Sequence, residues 1–190
     1  MATVSSRFVH TKTPLAGLLL LTRLPIADAR GEFERMFCAD ELAECGFANS
    51  AKQVNRSLTR RCGALRGMHF QYPPHAEIKL VSCLSGEVFD VAVDVRRDSP
   101  TYLKAFSCHL SAANHHSLLI PAGFAHGFQA MSDDCELLYC HSAAFSGNAE
   151  GGLHPLDPRL AIAWPLPVTE MSPRDAAHAL ISQGFDGVAI

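Results

Sequence analysis

The 190-residue sequence carries 16 Lys and Arg against 19 Asp and Glu, a formal net charge of -3, and is 48% hydrophobic. That balance suits one domain with a full core and supplies no basic excess for nucleic acid. The apolar run Leu15 to Leu21 is too short to cross a bilayer, so no membrane span is expected.

In chain order, residues 1 to 13 are polar and read as a loose N-terminal or edge arm, and Leu15 to Leu24 reads as the first strand. Asp28 and Gly31 suit a turn, with Phe33 and Phe37 as apolar anchors. Ala39 to Cys45 forms the best short helix: Asp40 lies near its start, Leu42 and Cys45 make an apolar side, and Gly46 stands at the C-terminal cap. Lys52 to Arg61 alternates Gln53, Asn55 and Ser57 with Val54 and Leu58, a strand with one polar face. The seven cysteines are odd in number and scattered, with no CxxC pair. They read as small core residues of a reducing, cytoplasmic compartment, not as a zinc site.

The densest stretch runs from Gly63 to Asp94. Arg66, His69 and Gln71 intersperse apolar residues until Tyr72-Pro73-Pro74 ends the run. From Lys79 to Asp94, two apolar, β-branched runs break at Ser85-Gly86, which predicts a hairpin with one buried and one mixed face. Polar side chains on the inside of a β-barrel imply a lined cavity, since burying them without partners is costly. Lys79 is placed to point into the same cavity as His69. Lys104 to Leu110, Leu118 to Met131 and Glu136 to Cys140 continue the strand pattern, and Pro173 to Ser182 reads as a short terminal helix. Many short strands and two helical patches predict an all-β sandwich or jelly roll, as a single domain over residues 1 to 190.

Pro121-x-Gly-x-x-His126 after Leu-Leu-Ile resembles the second motif of the cupins, which implies a jelly-roll barrel. The first cupin motif normally supplies metal ligands, but here the place reads His69-Phe-Gln71 with Lys79 beyond it, and a nearby cation opposes a divalent metal. The match then narrows. RGMHFQ (66 to 71), GEVFDVAVDVRRDSPT (86 to 101), IPAGFAHGF (120 to 128), ELLY (136 to 139) and S-x-RD (172 to 175), with DxRGxF at 28 to 33, resemble the sugar-nucleotide 3,5-epimerases acting on dTDP-4-dehydro-6-deoxyglucose. The resemblance covers roughly residues 14 to 180 in colinear order. It implies a homodimer without metal or organic cofactor, whose partner molecule is a dTDP-linked 4-keto-6-deoxy sugar.

The chemistry explains the residue types. A ketone at C4 acidifies the hydrogens at C3 and C5, so inversion needs a base on one face, a proton donor on the other and a cation at the enolate oxygen. The resemblance implies His69 as base, Asp175 as the carboxylate orienting it, Tyr139 as the opposed acid and Lys79 at the C4 oxygen. It further implies substrate contacts from Arg30, Gln53, Asn55, Arg66, His126, Glu150 and Arg174, with Phe145 where the family usually stacks a Tyr on thymine. His75, His109, His115, His116, His141, His154 and His178 have no such support and read as surface residues. Three alternatives stay open at this point: a monoepimerase inverting only C3 or only C5, a non-catalytic cupin that binds nucleotide sugars, and a metal-dependent cupin oxygenase.

Overall fold

A computed structural model describes residues 6–48, 50–181 and 184–190. Two antiparallel sheets face each other. The first runs, in spatial order, β1 (Phe8–Lys12), β2 (Leu19–Arg23), β10 (His116–Ile120), β7 (Lys79–Ser85), β12 (Cys135–His141) and β5 (Gln53–Thr59). The second runs β13 (Glu150–Gly152), β6 (Ala64–Gln71), β11 (Phe124–Ala130), β8 (Glu87–Asp94) and β9 (Ala105–Ser111), with β14 (Glu170–Met171) lying parallel to β6. A separate hairpin pairs β3 (Ile26–Asp28) with β4 (Gly31–Phe33). The helices are short, α1 (Ala39–Ala43) and α2 (Pro173–Ala176). Among the described residues no helix is long and apolar enough to cross a membrane. The architecture is the expected all-β cupin jelly roll.

Several local expectations need correction. Of the N-terminal arm, residues 1–5 lie outside the described residues, and of its two readings Phe8–Lys12 takes the edge one, pairing with Leu19–Arg23 at the edge of the first sheet. The first long apolar run therefore supplies the second strand. Ser85-Gly86 makes no hairpin: β7 pairs with β10 and β12, whereas β8 pairs with β9 and β11, so the break carries the chain from one sheet to the other. Gly86, at φ +73°, fits that corner because a Cβ there would stand 2.5 Å from Ser132 Oγ. The terminal helix stops at Ala176, and position 182 lies outside the described residues.

Three apolar layers explain why β7 and β8 read as nearly continuous apolar runs. Between the sheets, Val81, Cys83, Leu118, Ile120 and Leu137 of the first meet Val88, Ala92, Leu110, Phe124 and Phe128 of the second. Outside the first sheet, Leu21, Leu80 and Leu119 are covered by Phe8, Leu42 and Phe47. Outside the second, Met68, Phe70, Val91 and Val93 are covered by Leu153, Leu160, Ile181 and Val188 of the C-terminal segment. Both faces of β8 are thus buried, not one, and each such side chain contributes about 1.5–3 kcal/mol. The segment that covers the second sheet also delivers α2 beside β6.

Candidate active site

One end of the space between the sheets is polar and open, a cavity of about 1250 Å³. Strand parity sets its walls. From the first sheet, Gln53, Asn55 and Ser57 of β5 stand opposite His141, Tyr139 and Leu137 of β12, and Lys79 of β7 is paired with His141. From the second come His69 and Gln71 of β6 and His126 of β11.

Arg66 also lines the cavity although it lies an odd number of residues before His69. A register shift between His126 and Phe128 absorbs the difference, so that His69 pairs with His126 and Arg66 with Phe128. The irregularity centres on Gly67, at φ +127°, where a Cβ would lie 2.5 Å from Gly127 Cα. Only glycines allow β6 and β11 to approach this closely.

The same turn points the Gly67 N–H at Asp175, which accepts it on Oδ2 at 3.2 Å. Because β14 runs alongside Ala64–Leu65, Ser172 caps α2 by accepting the Asp175 N–H at 3.0 Å, and this brings the 2% exposed Asp175 to the base of the cavity. Its Oδ1 lies 2.8 Å from His69 Nε2. Burial alone would raise the Asp175 carboxyl, but the hydrogen bond and charge of His69, with the Gly67 N–H and the Ser172 hydroxyl, hold it well below the usual carboxylate range. Asp175 is therefore an anion that accepts the Nε2–H of His69. The basic lone pair of the imidazole is left on Nδ1.

Lys79, only 6% exposed, donates to the His69 carbonyl at 2.9 Å and pairs with the buried Glu77 at 3.1 Å. An ammonium has three donors, so one remains for the cavity. Glu77 in turn accepts from Gln71 Nε2 at 2.9 Å. Tyr139 lies between two imidazoles, edge-on to His126 at 5.9 Å and stacked on His141 at 6.0 Å. Burial first, and the charge of Asp90 second, push the Tyr139 phenol far up, so it keeps its proton. His126 is fixed by Asp90, which lies 2.9 Å from its Nε2. It is thus both a satisfied histidine and a lining residue.

Glu150 and Arg174 pair at 3.0 Å on the rim, and Arg174 Nη2 lies 3.1 Å from His69 Nε2. Gln53 accepts the backbone N–H of Phe145 at 2.9 Å, leaving that ring 58% exposed at the mouth. Eleven of the twelve residues named from the sequence thus line this cavity: His69, Lys79, Tyr139, Asp175, Gln53, Asn55, Arg66, His126, Phe145, Glu150 and Arg174. Arg30 does not. It sits at the turn of the β3–β4 hairpin with an 89% exposed side chain bonded to Asp28 at 2.6 Å.

Two histidines read as surface residues belong to the site instead. His141 is half-buried, and burial followed by the charge of Lys79 lowers it to about 4, so it is a neutral wall behind Tyr139. His178 is half-buried against the His69 ring, with centroids 5.9 Å apart. Sequence reasoning also passed over Glu77 and Asp90. Glu77 carried the one available signal, a carboxylate two residues from Lys79 on a β-strand period.

Comparison with known proteins places the chain in the class of carbohydrate isomerases built on the cupin jelly roll. More closely, it belongs to the dTDP-4-dehydrorhamnose 3,5-epimerase family, whose model matches residues 12–183. It is 46% identical over 140 residues to a dTDP-4-dehydrorhamnose 3,5-epimerase of Streptomyces griseus, covering 73% of this chain and 69% of that one. It is 39% identical over 176 residues to the enzyme of that name from Salmonella typhimurium, covering 92% and 96%. Among solved structures, a dTDP-6-deoxy-D-glucose-3,5-epimerase of Legionella pneumophila in complex with dTDP-4-keto-L-rhamnose superposes with a TM-score of 0.90 at 36% identity, covering 96% of this chain and 98% of that one.

Proposed function

We propose that this protein epimerises dTDP-4-dehydro-6-deoxy-D-glucose at C3 and C5 to dTDP-4-dehydro-L-rhamnose by enolisation. The observation that carries the reading is the pair formed by His69 of β6 and Asp175 of the adjoining α2, facing a cavity whose opposite wall holds a proton-retaining Tyr139. His69 Nδ1 takes the proton from carbon, and Asp175 favours the imidazolium that results. The free donor of Lys79 stabilises the oxygen of C4 as charge develops there. Tyr139 returns a proton from the other face. Arg66 and Arg174 are forked donors suited to a diphosphate, and the exposed Phe145 ring offers a stacking face for a base. Incubation of that ketosugar with the protein should give a product whose ring proton couplings report inversion at both carbons. Inversion at one carbon only would identify a monoepimerase.

The same reading includes a homodimer in the cytoplasm. The seven cysteines are free, which suits a reducing compartment. Outside the cavity of its own chain, the β3–β4 hairpin displays Arg30 with the exposed apolar side chains Ile26 and Phe33. A partner subunit would cover those apolar groups and bring Arg30 to a second active site. Light scattering should give twice the 20.6 kDa chain mass. Phe33→Asp should shift the mass to one chain and raise KM; a monomeric wild-type protein with full activity would contradict the dimer.

A further inference from the structure

Inverting two carbons with one base raises a requirement that the groups above do not meet. When a carbon–hydrogen bond breaks, its proton goes to His69, and when the new bond forms its proton comes from Tyr139. Each inversion therefore ends with an imidazolium and a tyrosinate. Before the second can start, one proton must leave His69 and one must reach Tyr139, with no net gain or loss. Asp175 does not keep the first, because its hydrogen bonds and the His69 charge hold its carboxyl far below the usual range and make it too weak a base. The substrate itself would keep bulk solvent away from the cavity side of His69.

We propose that His178 is the proton relay that unloads His69 between inversions, taking through a bridging water the proton that Nδ1 received from carbon, while Nε2–H stays on Asp175, and releasing one proton to solvent. The inference rests on the assignment of His69 as the base. The His178 ring stands edge-on to His69, with an interplanar angle of 69°. One donor atom from each of His69, Asp175 and His178 lies within 4.8 Å of the others. Such a gap is spanned by one water molecule making two ordinary hydrogen bonds.

Nε2 of His178 is enclosed and has no hydrogen-bond partner among the described residues, while the ring as a whole is half-buried. An unpaired buried imidazole nitrogen is costly unless it serves something transient. The niche is shaped for this ring: a Cβ at residue 152 would lie 2.2 Å from both Cε1 and Nε2 of His178, so only Gly152 admits it. Burial first, and the charge of His69 second, hold His178 below the usual histidine range, so it is neutral and able to accept. Two histidines and a carboxylate also resemble a metal triad, but the Arg174 guanidinium lies 3.1 Å from His69 Nε2 and 3.4 Å from Asp175 Oδ1, setting positive charge against a cation.

The test is chemical rescue in the full-length protein. In a buffer that carries protons poorly, His178→Ala should lower kcat roughly 100-fold, within what a positioned proton-transfer group contributes. Added imidazole should restore kcat in proportion to its concentration and leave KM alone, while wild type ignores it. His178→Gln, which keeps the niche filled, should show the same loss and guards against a folding defect. An unchanged kcat in both variants, or a loss in His178→Ala that imidazole does not repair, would overturn the relay. Failure of the underlying base assignment looks different: there His69→Ala itself would still turn over.

Discussion

Replacing His69 by Ala is expected to lower kcat roughly 100-fold to 10,000-fold, or about 3–5 kcal/mol of barrier, with little change in the affinity for dTDP. The size follows from the geometry. Asp175 holds Nε2 at 2.8 Å, so the lone pair that remains on Nδ1 is the only one the pair can offer. No other group near the dyad takes over the abstraction. Asp175 is held as an anion, His178 is set back against the His69 ring, and Lys79 is tied to Glu77 and the His69 carbonyl. Asp175→Asn should lose much of the same rate, because a neutral amide no longer favours the imidazolium and can turn its NH2 to the ring, which lets the imidazole settle in the wrong tautomer. Stopped assays on the ketosugar, with dTDP affinity measured separately by calorimetry, check both. Activity in His69→Ala within tenfold of wild type would remove the base assignment.

Tyr139→Phe is expected to separate two events that the wild type couples. The residue is half-buried in the cavity wall, its phenol is pushed up by desolvation and by Asp90, and its ring is wedged between those of His126 and His141. Loss of the hydroxyl leaves the ring packing intact, so the stability cost is small and the chemical cost is specific. Abstraction by His69 proceeds, and the carbanion then recovers a proton from the side it came from. Hydrogen exchange should persist near the wild-type rate, while inversion falls roughly 100-fold or more. Exchange and inversion falling together would show that Tyr139 acts in abstraction, or in holding the sugar, and not as the opposed donor.

The strand pattern was legible because period-two alternation and Gly or Pro punctuation are local signals, and they mark β5, β7, β8, β11 and β12 to within a residue or two. What Ser85-Gly86 does was not legible: a two-residue break looks the same whether the next strand pairs with the last or crosses to the facing sheet. Nor could alternation alone place Arg66 and His69 on one face, since the irregularity that aligns them depends on Gly67 meeting Gly127 some 60 positions away in sequence. The candidate set His69, Lys79, Tyr139 and Asp175 came from motif resemblance, and the structure brings these residues around one cavity. His178, His141 and Glu77 escaped because their setting arises from contacts between distant segments. Arg30 shows the converse, a motif position that the fold of one chain leaves outside its own cavity.

Proton NMR of dTDP-4-dehydro-6-deoxy-D-glucose in heavy water with the wild-type protein, following C3 and C5 separately, tests enolisation most directly. Loss of both proton signals at catalytic rates, abolished in His69→Ala, is the result expected of a double epimerase with this base. Conversion with solvent hydrogen entering neither carbon, or full exchange in His69→Ala, would contradict it.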